Sequence, residues 1–193
     1  HNLTERNFLL GYMRYAGVGA PQDYSAALIH FTAAAESGQP WAQYALGLMH
    51  EAGKGTEKSL TSAAKWYERA AASGHVPAIS ALGLILKFGP EGIRNYATSV
   101  KLFRQAAAAG SSMAALQLAD SLERGFGVAI DEVGAREWYF RAADLKDEST
   151  GAAHAAVAML YRTGRVGVTP DAQKADEWTR SSQVLLRDLQ SNP

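Results

Sequence analysis

The sequence contains no cysteine, which excludes disulfides, thiolate nucleophiles and cysteine-ligated zinc. No apolar run approaches the ~18 residues that cross a bilayer as a helix. An excess of one charge is missing too, since 19 basic residues balance 19 acidic ones. A general binder of nucleic acid or of an anionic membrane needs a positive excess or stripe, and the sequence has neither. The five histidines, His1, His30, His50, His75 and His154, never fall in an H-E-x-x-H or other dense ligand spacing. Zinc hydrolase chemistry therefore has no support, and no metal or cofactor is implied. The chain opens on His1 rather than methionine, so the expectation is an excised or processed piece. Asn2-Leu3-Thr4 has the form of a glycosylation acceptor, a single triplet of the kind chance supplies.

What the sequence does have is a period. Leu10-Gly11, Leu46-Gly47, Leu82-Gly83 and Leu118-Ala119 recur every 36 residues. Phe31, Tyr67, Phe103 and Tyr139 keep the same step, as do Ala34, Ala70, Ala106 and Ala142. A fifth, looser copy returns Val157-Ala158 and Trp178 at corresponding points, after three extra residues in one linker and one more in the next. Self-similarity at this period marks a stacked array of short units. The copies run approximately 3–38, 39–74, 75–110, 111–148 and 149–190. Because neighbouring units of an array share one continuous core, residues 1–193 are expected to form a single elongated domain.

Each copy reads as two helices, A and B, around a glycine-marked turn. In the second copy Trp41 to Ala52 is helix A, with Ala42, Ala45, Leu46 and Met49 on one stripe. Gly53-Lys54-Gly55 breaks it. Ser59 to Ser73 is helix B, with Ala63, Trp66, Tyr67 and Ala70 on one face and Gly74, like Gly38 and Gly110, as the terminating glycine. Small residues at 11, 47, 83, 119 and 158 let helix B cross closely, and the large rings fill the space beside them. Helix A of the first copy, roughly Thr4 to Ala16, is apolar on two faces. Leu9, Leu10 and Met13 are assigned to the core, and the copy needs no preceding unit. Phe8, Tyr12 and Tyr15 form a second stripe. Asp23, Asn95 and Thr169-Pro170-Asp171 are start signals for B helices. The last helix is expected to run to about Gln190, with Val184, Leu185, Leu186 and Leu189 as a terminal cap or a docking face.

The residues Ala42-Gln43, Leu46-Gly47-Leu-Met49, Gly53-Lys-Gly55 and Ala63-Ala-Lys-Trp66-Tyr67-Glu-Arg-Ala70-Ala71 with Gly74-His75 resemble the Sel1-like repeats, relatives of the tetratricopeptide repeats. The resemblance covers almost the whole chain. It departs at the tyrosine usual near the end of helix A, kept as Tyr161 but replaced by Arg14, His50, Leu86 and Leu122, and at Gly89-Pro-Glu-Gly92. It implies an all-α, right-handed superhelical solenoid of about five helix-turn-helix repeats. It also implies a protein-binding adaptor or scaffold, of the kind found in the bacterial periplasm, the endoplasmic reticulum lumen or the cytoplasm. Cysteine-rich members suggest a β-lactam-binding or β-lactam-hydrolysing alternative, which this cysteine-free chain matches poorly. A third reading is a module that self-associates through Val184, Leu185, Leu186 and Leu189.

No nucleophile–base pair is legible. Gly53-Lys54-Gly55-Thr56 lacks the strand and glycine spacing of a phosphate loop, and Gly17-Val-Gly19 and Gly125-Phe-Gly127 occupy equivalent turns. His30 and His50 stand where other copies carry Trp66, Leu102, Tyr161 or Leu86, as half-buried substitutes. By analogy with tetratricopeptide arrays, helix A lines the inner wall and a partner protein or peptide binds there. That assigns Glu5, Phe8, Tyr12, Tyr15, Trp41, Tyr44, Leu48, Glu51, Leu84, Lys87, Asp120 and Glu123 to partner binding. Ser80, Met113, Leu116, Met159 and Arg162 share the wall. Phe8, Tyr12 and Tyr15 are expected to be surplus to intra-repeat packing and free for recognition; the alternative is that the rings pack between A helices.

If each copy touches only its neighbours, truncation after Gly110 should leave a shorter fragment that is still helical. Circular dichroism at low temperature checks this, and complete unfolding of the fragment beside a stable parent would favour a non-modular fold.

Overall fold

A repeating turn geometry sets the architecture. In the computed structural model, which describes residues 2–191, the residue that caps the B helix of the first, second, fourth and fifth copies donates its backbone N–H to the preceding A helix. The pairs are Asp23 to the Arg14 carbonyl at 2.9 Å, Ser59 to His50 at 2.8 Å, Asp131 to Leu122 at 2.9 Å and Asp171 to Tyr161 at 2.8 Å. The same caps accept from the third backbone N–H onward, as Asp23 does from Ala26 and Asp171 from Lys174. One polar residue thus closes the A–B turn and starts helix B. Gln39, His75 and Ser111, again 36 apart, cap the A helices in the same manner.

Residues up to Arg94 form one compact unit and those from Asn95 on form a second. The first contains α1 (Asn2–Ala16), α2 (Tyr24–Glu36), α3 (Pro40–Ala52), α4 (Leu60–Ala72) and α5 (Val76–Phe88). Here α1 packs on α2, α2 on α3, α3 on α4 and α4 on α5. The second contains α6 (Tyr96–Ala108), α7 (Ser112–Arg124), α8 (Glu132–Asp144), α9 (Thr150–Thr163) and α10 (Ala172–Ser191), each packed on the next. The described residues contain no strand.

The core is ring against small residue. Phe31, Tyr67, Phe103 and Tyr139 are buried, as are Gly11, Gly47, Gly83 and Ala119. A Cβ at Gly11 would stand 2.6 Å from Phe31 Cδ1, and one at Gly47 would collide with the Tyr67 ring. Burial of each ring contributes roughly 1.5–3 kcal/mol, and the close crossing that permits it needs the missing side chain.

Two expectations change. In α1, Leu9 and Met13 are 53% and 40% exposed rather than core. Their equivalents in α3, Ala45 and Met49, pack in the cluster that includes α2, and among the described residues no helix covers that side of α1. In the fifth copy, Ala175 is buried as Ala135 is, which aligns Trp178 with Trp138 and gives the Tyr139 position to Thr179. The turn there, Gly164-Arg165-Val166-Gly167, is one residue longer than its counterparts, and the buried Val166 takes φ +47°. Leu186 lies against Gly151 of α9 and Ser182 Oγ donates to the Gly151 carbonyl at 2.7 Å. The end of α10 therefore packs along α9, while Val184 is exposed; the Leu189 side chain lies outside the described residues.

Gly55 and Gly74 both have positive φ, +70° and +77°. A Cβ at Gly74 would enter open space, whereas one at Gly55 would strike the backbone of Tyr24. Gly74→Ala should cost about 1 kcal/mol, the left-handed penalty alone. Gly55→Ala should cost measurably more because the first turn of α2 must shift. Chemical denaturation of the two variants checks the order, and equal losses would show that the contact yields freely.

Candidate functional site

One register position near the end of each A helix is occupied in turn by Tyr15, Glu51, Lys87, Glu123 and Arg162. In the first, second and fourth copies it faces the B-helix ring of its own copy. Tyr67 donates its hydroxyl to Glu51 at 2.7 Å, and Tyr139 donates to Glu123 at 2.9 Å. In the fifth copy Arg162 donates to Thr179 Oγ1 at 3.1 Å. In the first copy, where the ring is Phe31, Tyr15 packs on it edge-tilted, with centroids 6.4 Å apart. Carboxylates thus stand opposite the B-helix rings that carry a hydroxyl.

The turn of the following copy reaches the same position. Lys54, between its two glycines, donates to Tyr15 Oη at 2.9 Å and lies 5.1 Å from the centroid of the Tyr24 ring. Arg165, in the corresponding turn, forms a two-pronged ion pair with Glu123, its Nε donating at 2.7 Å. Between them, Phe126 stacks on Tyr96 at 5.2 Å. The Arg165 guanidinium holds the Glu123 carboxyl below the usual range, aided by the Tyr139 hydroxyl and opposed by burial. Burial, then the adjacent carboxylate, pushes the Tyr67 and Tyr139 phenols up. These shifts favour the ionised Glu123 carboxyl and the protonated Tyr67 and Tyr139 phenols. Glu51, Glu123 and Tyr15 therefore serve repeat-to-ring and repeat-to-turn bonding. Arg165 was not singled out from sequence, although its place in the turn matches that of Lys54.

The aromatic stripe of α1 divides. Phe8 packs on Phe31 at 5.9 Å, and Tyr15 on Tyr24 at 5.3 Å, so neither is surplus to intra-repeat packing. The reason is register: Phe8 is the equivalent of Tyr44, which packs on Tyr67 at 5.6 Å. Tyr12 is 55% exposed. Trp41, 53% exposed, meets Tyr44 and His75 edge-on. His75 accepts from the Ala78 N–H through Nδ1, and its burial lowers its pKa. Leu48 is 39% exposed, Leu84 half-buried and Glu5 exposed. Lys87, expected on the wall, is instead buried, with Nζ 5.2 Å from the Phe88 centroid. In the second unit Asp120 pairs with Arg124 at 2.7 Å. His30 and His50 are both half-buried. No helix among the described residues is long and apolar enough to cross a membrane.

Glu123→Gln should destabilise the protein by about 1–3 kcal/mol at neutral pH, the range for a charged group losing its hydrogen-bonded partner. Because the folded carboxyl titrates below an unfolded glutamate, its contribution is full above the unfolded value and fades as pH falls through the folded one. The wild-type advantage over E123Q should therefore shrink below pH ~4. Urea melts across pH test this; a gap that does not change would remove the ion pair from the stability of the repeat.

The Sel1 repeat model matches residues 7–39, 42–75, 76–111, 112–147 and 151–182. Among solved structures the chain is similar to a protective antigen of uropathogenic Escherichia coli strains with an SLR fold, at 31% identity and a TM-score of 0.82. That match covers 94% of this chain and 38% of the antigen, so the chain spans well under half of that protein. A Sel1 repeat protein from Oxalobacter formigenes matches at 26% identity and a TM-score of 0.81, over 93% of this chain and 70% of the other. No curated protein matches. With five repeats matched along most of its length and an all-helical fold shared with these solenoids, the chain belongs to the Sel1 repeat family.

Proposed function

We propose that the chain is a non-catalytic adaptor whose A helices in residues 1–94 hold an apolar segment of a partner protein. The observation that carries this reading is one register position. Tyr12, Leu48 and Leu84, each 36 residues from the next, present exposed or half-buried apolar side chains on α1, α3 and α5, with the exposed Trp41 beside them. At the same position in α7 stands Asp120, held by Arg124. Large, stiff apolar groups on neighbouring helices suit a helical or extended peptide, and Glu5 adds a negative edge that favours basic flanks.

The carboxylates and phenols near this row are bonded to one another or to turn cations, leaving recognition to shape and apolar area. Sel1 repeats commonly serve as protein-interaction scaffolds, which agrees with this reading. Tyr44, packed on Tyr67 and His75, supports Trp41 from below and is a poor choice for a test, because its removal disturbs the core.

Tyr12→Ala with Leu48→Ala removes two exposed groups and should leave helicity unchanged. Used as bait beside the wild type in extracts of the native source, the double variant should retain a bound partner at least about tenfold less well, as expected for anchors worth ~1–2 kcal/mol each. Equal retention by the folded variant would exclude this row as the binding face.

A further inference from the structure

A cavity of about 310 Å³ opens between α3 and α4, away from the A-helix row, lined by His50, Ser62, Lys65, Trp66 and Arg69. Trp66 forms its floor, packed on the core cluster of α2 and α3. The Arg69 guanidinium lies 4.6 Å from the Trp66 ring centroid, which fixes the fork and leaves its edge N–H groups free to donate. Lys65, one turn back on α4, is exposed, and no ion pair holds either cation among the described residues. No carboxylate lines the cavity, and Glu51, next in sequence to His50, is engaged by Tyr67. The His50 Nδ1 atom is buried without a hydrogen-bond partner among these residues.

The repeat supplies its own comparison. Seventy-two residues on, Arg141 lies 4.7 Å from the Trp138 centroid in the same arrangement. There, however, Leu122 replaces His50, Gly134 replaces Ser62 and Glu137 replaces Lys65. The Trp–Arg stack is thus a recurring structural feature, whereas the uncompensated positive charge and the polar lining belong to the first unit. A second cavity, lined by Arg136, Phe140, Tyr161, Pro170, Asp171 and Lys174, differs in this respect. Its cations are committed, Arg136 to the Val166 carbonyl at 3.2 Å and Lys174 to Asp171 and the Tyr161 ring.

We propose that the α3–α4 cavity is a second docking site, taking a glutamate or aspartate side chain from an acidic segment of a partner protein. Two exposed cations one helical turn apart, one of them stacked on the Trp66 ring, match a carboxylate. A chain with zero net charge has no positive excess to track a run of phosphates, which argues against nucleic acid. The site lies on the B helix, so its success or failure is independent of the Tyr12–Leu48 row.

Fluorescence anisotropy of a short fluorescein-labelled poly-glutamate peptide with the whole chain tests the proposal. K65Q/R69Q should raise Kd at least about tenfold with helicity intact, and the matched exposed pair K101Q/R104Q on α6 should change it less than about twofold. K65E alone, which keeps the Arg69–Trp66 stack, should weaken binding in the same direction. The proposal fails if the wild type does not bind, if folded K65Q/R69Q binds unchanged, or if K101Q/R104Q loses as much. Tighter binding of a single-stranded oligonucleotide of equal charge, lost in K65Q/R69Q, would also overturn it.

Discussion

A large B-helix ring seated over an A-helix glycine is the contact on which the first two repeats depend. Gly47 and Tyr67 illustrate it: the ring occupies the space a Cβ would need, so the helices approach closely and the ring is fully buried. A ring in that place has its hydroxyl directed toward the end of helix A. There the Glu51 carboxylate accepts it, and a buried phenol left without an acceptor would cost more than the bond itself contributes. The choice of Tyr or Phe on helix B therefore constrains the residue sixteen positions earlier, and Glu51–Tyr67 and Glu123–Tyr139 obey that constraint.

The same carboxylate position ties one copy to the next. Arg165 crosses from its turn to Glu123, and Lys54 from the equivalent turn to Tyr15. Glycines on either side of Lys54 adopt left-handed backbone, and the second, Gly55, presses against the start of α2. A turn built this way positions its central side chain without a choice of path. Polar groups that might have looked catalytic in isolation are thus consumed in closing the repeat.

Much of this was legible in the sequence because it is periodic. The spacing of Leu-Gly pairs and rings gave the helix pairs, and Asp23, Asn95 and Asp171 gave the starts of B helices that their side chains cap. What was not legible depended on rotation about a helix axis. In α1 the apolar residues occupy two faces, and hydropathy alone cannot tell which face meets α2. The structure packs the Phe8 and Tyr15 side onto α2, as register with Tyr44 and Glu51 would have indicated, and exposes Leu9 and Met13, although their equivalents Ala45 and Met49 pack into the core cluster. Lys87 differs from expectation for a related reason: Tyr15, Glu51 and Glu123 at the same position are half-buried, and only the fifth-copy Arg162 is exposed. The pairing of Arg165 with Glu123 spans 42 residues and becomes visible in sequence only after Lys54 and Arg165 are aligned across an inserted residue.

Exposed apolar side chains have two distinct origins here, and the difference decides which of them bear on recognition. Leu9 and Met13 are open because their face of α1 has no neighbour among the described residues; the same positions in α3 pack into the core cluster. Leu48 is different. Its helix is flanked by α2 and α4 within one compact unit, yet the side chain remains exposed. Stacking therefore leaves this position open in an interior copy, and an apolar residue there gains nothing from the fold that a polar one would lose. Asp120, at the same position in α7, is the residue that solvent alone would favour. Tyr12, Leu48 and Leu84, and Met159 on α9, depart from it, and exposed or half-buried apolar side chains recurring at one register position are what the proposed contact with a partner rests on.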